Sequence, residues 1–122
     1  MVSYRGSCHC SAVRFTIAVE PSKLVECNCS ICTKKGILHI PVEDSALSVE
    51  SDDSELALYQ FGSDTARHWF CRHCGIHVFG RPRTAPHRYS VNARCMDDFH
   101  SHFKHLPIVN FDGVNHPADA CG

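Results

Sequence analysis

The sequence is short of several things, and each absence removes a class of answer. It lacks a charge of one sign: twelve basic residues stand against thirteen acidic ones, a formal net charge of −1 with a pI near 6.8. A chain without a positive field has nothing to gather phosphates, so nonspecific binding to nucleic acid or to an anionic membrane is not expected. It lacks any apolar run approaching the ~18 residues that cross a bilayer. Its first residues, MVSYRGSCHCSAVRF, show neither the basic leader nor the apolar stretch of a secretory signal. The expected compartment is therefore the cytoplasm. It also lacks internal repeats, low-complexity tracts, a glycine-rich phosphate loop, an EF-hand pattern and a Ser/His/Asp arrangement. At 122 residues there is no room for a second independent core, so one domain over residues 1–122 is expected.

Prolonged helical periodicity is missing too. Val13, Phe15 and Ile17 alternate with polar or small residues, the period of a half-buried strand. Further strand signals run over residues 37–40, stopped by Pro41, and over 47–50, 56–61, 67–71, 76–79, 88–92 and 106–111. SICTKKG is too short for a stable helix and predicts one helical turn or a loop. Residues 97–105 hold the other helical signal, with Phe99 and Phe103 spaced to share a face. The tail DGVNHPADACG is expected to fray. Many short strands separated by turns predict an all-β domain.

Cysteine, by contrast, is abundant. Nine are present, an odd number that cannot close wholly into intramolecular bridges. Seven fall into three groups: Cys8 and Cys10 as CxC; Cys27, Cys29 and Cys32 as CxCxxC; and Cys71 and Cys74 as CxxC followed by Gly75. In a reducing compartment such clusters hold metal or do chemistry more often than they form bridges. A tight turn aims two thiolates the same way, and a glycine after the second tolerates the positive φ the turn needs. CRHCG is thus half of a tetrahedral zinc site, and either upstream group could complete it. One division stands out: Cys8 and Cys10 with Cys71 and Cys74 make a saturated, structural site, leaving Cys27, Cys29 and Cys32 with an open fourth position. An open position is what catalytic zinc requires. The trio could instead be a second structural site completed by a histidine or by Cys95, or a metal-free redox CxxC. Cys95 reads as a small buried hydrophobe and Cys121 as inert. His68 and His73 lie beside zinc ligands, but His73 and His9, inside their turns, are expected off the metal; His100, His102 and His105 are expected to face solvent.

Four segments, GSCHCSAVRF, CNCSICTKKG, HWFCRHCGIHVFGRP and SVNARCMDD, together resemble the glutathione-dependent formaldehyde-activating enzyme family over about residues 3 to 112. The resemblance implies a twisted β fold related to methionine sulfoxide reductase B. It implies a structural zinc on the residues matching Cys8, Cys10, Cys71 and Cys74, and a second, labile and catalytic zinc on those matching Cys27, Cys29 and Cys32. It further implies a carbon–sulfur lyase type reaction joining glutathione, or another small thiol, to formaldehyde, or a related carbonyl, as an S-hydroxymethyl adduct. The alternative is a non-enzymatic binding module with two structural zinc ions. Lys34, Lys35, Arg67, Arg72, Arg81 and Arg83 are candidate partners for the thiol's carboxylates. Two departures are visible: Ser11 stands where the family often has glycine after CxC, and His116 near where an aromatic residue often follows the last strand.

Overall fold

A computed structural model describes residues 2–114. Its strands are β1 (Val2–Ser7), β2 (Arg14–Val19), β3 (Leu24–Cys27), β4 (His39–Glu43), β5 (Leu47–Val49), β6 (Leu56–Tyr59), β7 (Arg67–Cys71), β8 (His77–Arg81), β9 (Arg88–Asn92) and β10 (Ile108–Phe111), with one short helix, α1 (Ser30–Lys35). The all-β reading holds. β1, β2 and β5 form a small antiparallel sheet in the order β1-β2-β5, and the other seven make a larger one in the order β10-β3-β4-β9-β8-β7-β6. Within the larger sheet β10 runs parallel to β3.

The alternation read in β2 buries Phe15 and Ile17 completely, while Arg14 faces out. Those two side chains belong to one apolar cluster with Ile40, Val42, Val78, Phe79, Val91 and Phe103 from the larger sheet and its connections. Phe15 meets Phe79 edge-on at 5.5 Å between centroids, an arrangement aromatic rings favour. Phe99 and Phe103 are both buried, as their spacing predicts, but the segment between them is a single π-helical turn.

Pro41 does not stop its strand, which was expected to end there. β4 continues to Glu43 and pairs with β9 throughout, Pro41 lying opposite Ser90. β3 reaches β4 only at Val25↔His39. Past that point one side of β4 has no ladder, so a residue without an N–H costs no bond there. The start of the tail, residues 112–114, does not fray as expected but is bonded to Asn28; the rest of the tail, the inertness of Cys121 and the departure at His116 lie outside the described residues. Among those described, no helix is long and apolar enough to cross a membrane.

Candidate metal centre and adjoining cavity

Two turns build the first sulfur cluster. The β1–β2 turn carries Cys8 and Cys10, closed by Cys8 N–H on the Val13 carbonyl (3.1 Å). Ser11 in this turn has φ +68°, which explains why glycine suits the position and serine is a strained choice there. The β7–β8 turn carries Cys71 and Cys74, and Gly75 at φ +79° lets its N–H reach the Cys71 carbonyl (2.9 Å). Backbone N–H groups point at the sulfurs: Val13 at Cys8 Sγ (3.3 Å) and His73 at Cys71 Sγ (3.3 Å). The four Sγ atoms lie within 4.8 Å of one another. Cys8–Cys10 and Cys10–Cys71 sulfur separations are 3.7 and 3.6 Å, close to the ~3.8 Å edge of a tetrahedron with Zn–S bonds of about 2.3 Å. The donor set and its size therefore fit a tetrahedral thiolate-bound ion. Cys8 and Cys71 are buried, Cys10 is exposed and Cys74 intermediate.

The second cluster forms where β3 enters α1. Cys27 ends the strand, Cys29 is the N-cap and Cys32 lies one turn in; Gly36, at φ +64°, ends the helix by donating to the Cys32 carbonyl (2.9 Å). The three sulfur positions again fall within 4.8 Å, and all three residues are buried. Asn28 pins the segment after β10 against them: its Oδ1 accepts from the N–H groups of Gly113 (2.8 Å) and Val114 (3.1 Å), and its Nδ2 donates to Asp112 (3.1 Å). Gly113 passes so close that a Cβ there would sit 2.6 Å from Cys27 Sγ. Cys29 is disulfide-bonded, whereas Cys27 and Cys32 are thiols. Ligation of one ion by the whole trio therefore requires reducing conditions.

Each cluster contains one acidified thiol. The hydrogen bond from Cys32 draws Cys27 down to about 6; burial opposes this, and backbone N–H groups of Cys29 and Gly113 reinforce it. Cys32 is pushed far up by that same bond and by burial. In the quartet, burial pushes Cys74 up, but backbone N–H groups of Ile76 and Cys10 and the side chains of Cys71 and Cys8 outweigh it and leave it at about 6.

Among the described residues, the trio and not the quartet borders an apolar hollow on the larger sheet. A cavity of about 210 Å³ takes Cys27 and Cys32 into its wall with Phe111, Pro41 and Tyr89, and adds Arg67, Arg81 and Arg88 with no acidic residue. Arg81 is bonded to Asp44 and stacks on Tyr89, 4.0 Å from ring centroid to guanidinium carbon; Arg88 lies 3.9 Å from Glu43. His39, His68 and His77 also line it. Burial, then the neighbouring His68 and Lys35, depresses His39 to about 4, so its ring is neutral at physiological pH. His77 is lowered further by burial and by Lys35, whose Nζ lies 2.9 Å from its Nδ1. A second hollow, of about 530 Å³, touches Cys27 and Cys32 from the side of Glu26, Asn28 and Asp112.

The structure thus groups the seven clustered cysteines as the counting divided them. Cys95 joins neither group; it is buried, its thiol faces the His77 carbonyl at 3.4 Å, and burial pushes it up to about 12. His9 and His73 are off the clusters, His73 paired with Glu55. His100, His102 and His105 are exposed, and His68 is a buried cavity residue. Of the cations singled out, Arg67 and Arg81 reach the cavity, Lys35 meets His77, and Lys34, Arg72 and Arg83 are absent from its wall. Missed from sequence were Arg88, His39, His77, Ser90 and Asn28. The one available signal was a histidine set in the apolar run ILHI.

A mostly β protein that gathers seven cysteines into a quartet and a trio has, in class, two thiol clusters of the kind that could hold metal ions. The sequence pattern of the family described as glutathione-dependent formaldehyde-activating enzyme matches residues 3–109, and the chain belongs to that family. It is also similar to a Rhodobacter sphaeroides protein of known crystal structure, with 33% identity and a TM-score of 0.77 over 86% of this chain and 99% of that one.

Proposed function

We propose that this protein is a zinc-dependent enzyme of the carbon–sulfur lyase type, forming or cleaving the S-hydroxymethyl adduct of a small acidic thiol such as glutathione with formaldehyde or a related carbonyl. The observation that carries the reading is the position of the trio: two of its residues, Cys27 and Cys32, form part of the wall of an arginine-lined cavity, while the quartet lies on two hairpin turns. Four thiolates leave Zn²⁺ no further position, so Cys8, Cys10, Cys71 and Cys74 would hold a structural ion. Cys27, Cys29 and Cys32 would hold a second with one position open. Zinc bound there supplies Lewis acidity and lowers the pKa of a thiol brought to it.

The chain's own residues do the rest. Arg67 and Arg88 stand where they can take the thiol's carboxylates, and Arg81 is held in place by Asp44 and Tyr89. Phe111, Pro41 and Tyr89 supply an apolar wall that keeps bulk water from the reacting carbon. In the forward direction the sulfur–carbon bond forms, the carbonyl π pair moves to oxygen, and the thiol's proton ends on that oxygen.

The test is direct. Reduced, zinc-loaded protein is mixed with glutathione and ¹³C-formaldehyde, and adduct formation is followed by NMR against the uncatalysed rate. Acceleration in the native protein and its loss in Cys27→Ser are expected. Equal rates with and without protein, alongside two ions of equal affinity, would favour a binding module.

A further inference from the structure

We propose that His39 is a positioning residue of the cysteine trio: fixed in one tautomer by Ser90, its ring donates Nε2–H to Cys32 Sγ and sets how tightly the trio holds its ion. This rests on the reading of the trio as a metal site.

The juxtaposition comes from strand register. β4 and β9 pair with His39 opposite Asn92 and Pro41 opposite Ser90, so His39 and Ser90 are diagonal neighbours on one face, within side-chain reach. His39 Nε2 lies 3.3 Å from Cys32 Sγ, and its Nδ1 lies 2.7 Å from Ser90 Oγ. A thiolate ligand carries no hydrogen and can only accept, so the ring hydrogen facing it is on Nε2. The neutral ring then has a bare Nδ1, and the Ser90 hydroxyl is the donor to it. The direction is Ser90 to His39 to Cys32.

His39 is not itself a ligand in this arrangement. Among the described residues, the set of donor atoms within 4.8 Å of one another is Cys27, Cys29 and Cys32. The ring instead does for Cys32 what backbone N–H groups do for Cys8 and Cys71 in the quartet. Such a donor orients the sulfur and drains charge from it, and removing an outer partner of this kind costs about 10–100-fold in metal affinity. Because the donor here is a side chain, it can be removed without disturbing a turn. The trio's hold on its ion is therefore adjustable independently of the quartet's, and the adjusting residues stand in the wall of the cavity that a substrate would enter.

The experiment titrates zinc into reduced, metal-free protein against competing chelators, for native protein, His39→Leu, His39→Gln and Ser90→Ala. Native protein is expected to take two ions of unequal affinity. His39→Leu should weaken the second by about 10–100-fold and leave the first unchanged. His39→Gln, whose amide N–H replaces Nε2–H, should recover most of the loss, and Ser90→Ala should weaken binding by a smaller factor. With cobalt(II) in the trio, the sulfur-to-cobalt charge-transfer band should shift in His39→Leu and return in His39→Gln. A second affinity unchanged in both His39→Leu and Ser90→Ala overturns the inference while leaving the trio a metal site. So does a His39→Gln variant as weak as His39→Leu. Native protein that takes one ion only overturns the metal reading of the trio and the inference with it. Ser90→Ala, losing one hydroxyl, carries the test if His39→Leu fails to fold.

Discussion

The quartet and the trio invert the usual association of burial with structure and exposure with chemistry. The quartet stands on two hairpin turns, with Cys10 exposed and Cys74 partly so, yet its four sulfurs leave an ion nothing further to bind. The trio is buried at all three positions, yet on the proposed reading it would leave an ion one position open, and Cys27 and Cys32 border a cavity. On that reading, reactivity would come from the missing ligand and the space beside it, not from contact with bulk water. The two also differ in what supports them. The quartet ties β1–β2 to β7–β8, joining the small sheet to the large one, while the trio is local to the β3–α1 junction and braced by Asn28 and Gly113.

The largest effect should come from breaking the quartet. Cys71→Ser is expected to unfold the domain, because a structural zinc can be worth ~10 kcal/mol or more. Cys27→Ser should keep the native circular dichroism and lose only the weaker ion. Loss of fold in both would erase the distinction between the sites. Next comes Gly113→Ala: its methyl would meet Cys27 Sγ at 2.6 Å, so the trio's zinc affinity should drop at least tenfold while the quartet's is untouched, as chelator competition would show.

A third prediction concerns pH. In metal-free protein with Cys29 in its disulfide, Cys27 has its thiol drawn down to about 6, so its thiolate is present above that pH and lost below it. Its iodoacetamide alkylation, read by peptide mass, should rise through pH 6 and level off by about pH 8, whereas an ordinary cysteine rises near 8.5. Cys32, held up by its bond to Cys27, should label far more slowly. Smallest is Ser11→Gly, which relieves a φ of +68°; it should raise stability by about 1 kcal/mol, measured by urea unfolding of the zinc-loaded protein.

How much of this could be read beforehand depends on how local the determinants are. Cysteines two or three apart are a local signal, and the pairing of CxC with CxxC followed from counting ligands around a tetrahedron. The strands of β2, β7 and β9 were visible because one of their faces is buried, or because turns bound them. Pro41 misled, because only the position of β3 shows that β4 can continue through it. The cavity was illegible for a related reason. Arg67, Arg81 and Arg88 come from three strands, and His39 meets Ser90 across fifty-one positions of sequence, so no window along the chain holds them together. Ser11 is the reverse case: its departure from glycine was seen in sequence, and the backbone angle supplies the reason.

The most direct test of the account is a zinc count on reduced protein before and after dialysis against glutathione. Two ions before and one after, with the remaining ion bound to Cys8, Cys10, Cys71 and Cys74 by mutant comparison, is the expected result. Two ions retained equally through dialysis would contradict it, since the trio would then hold its ion as firmly as the quartet does.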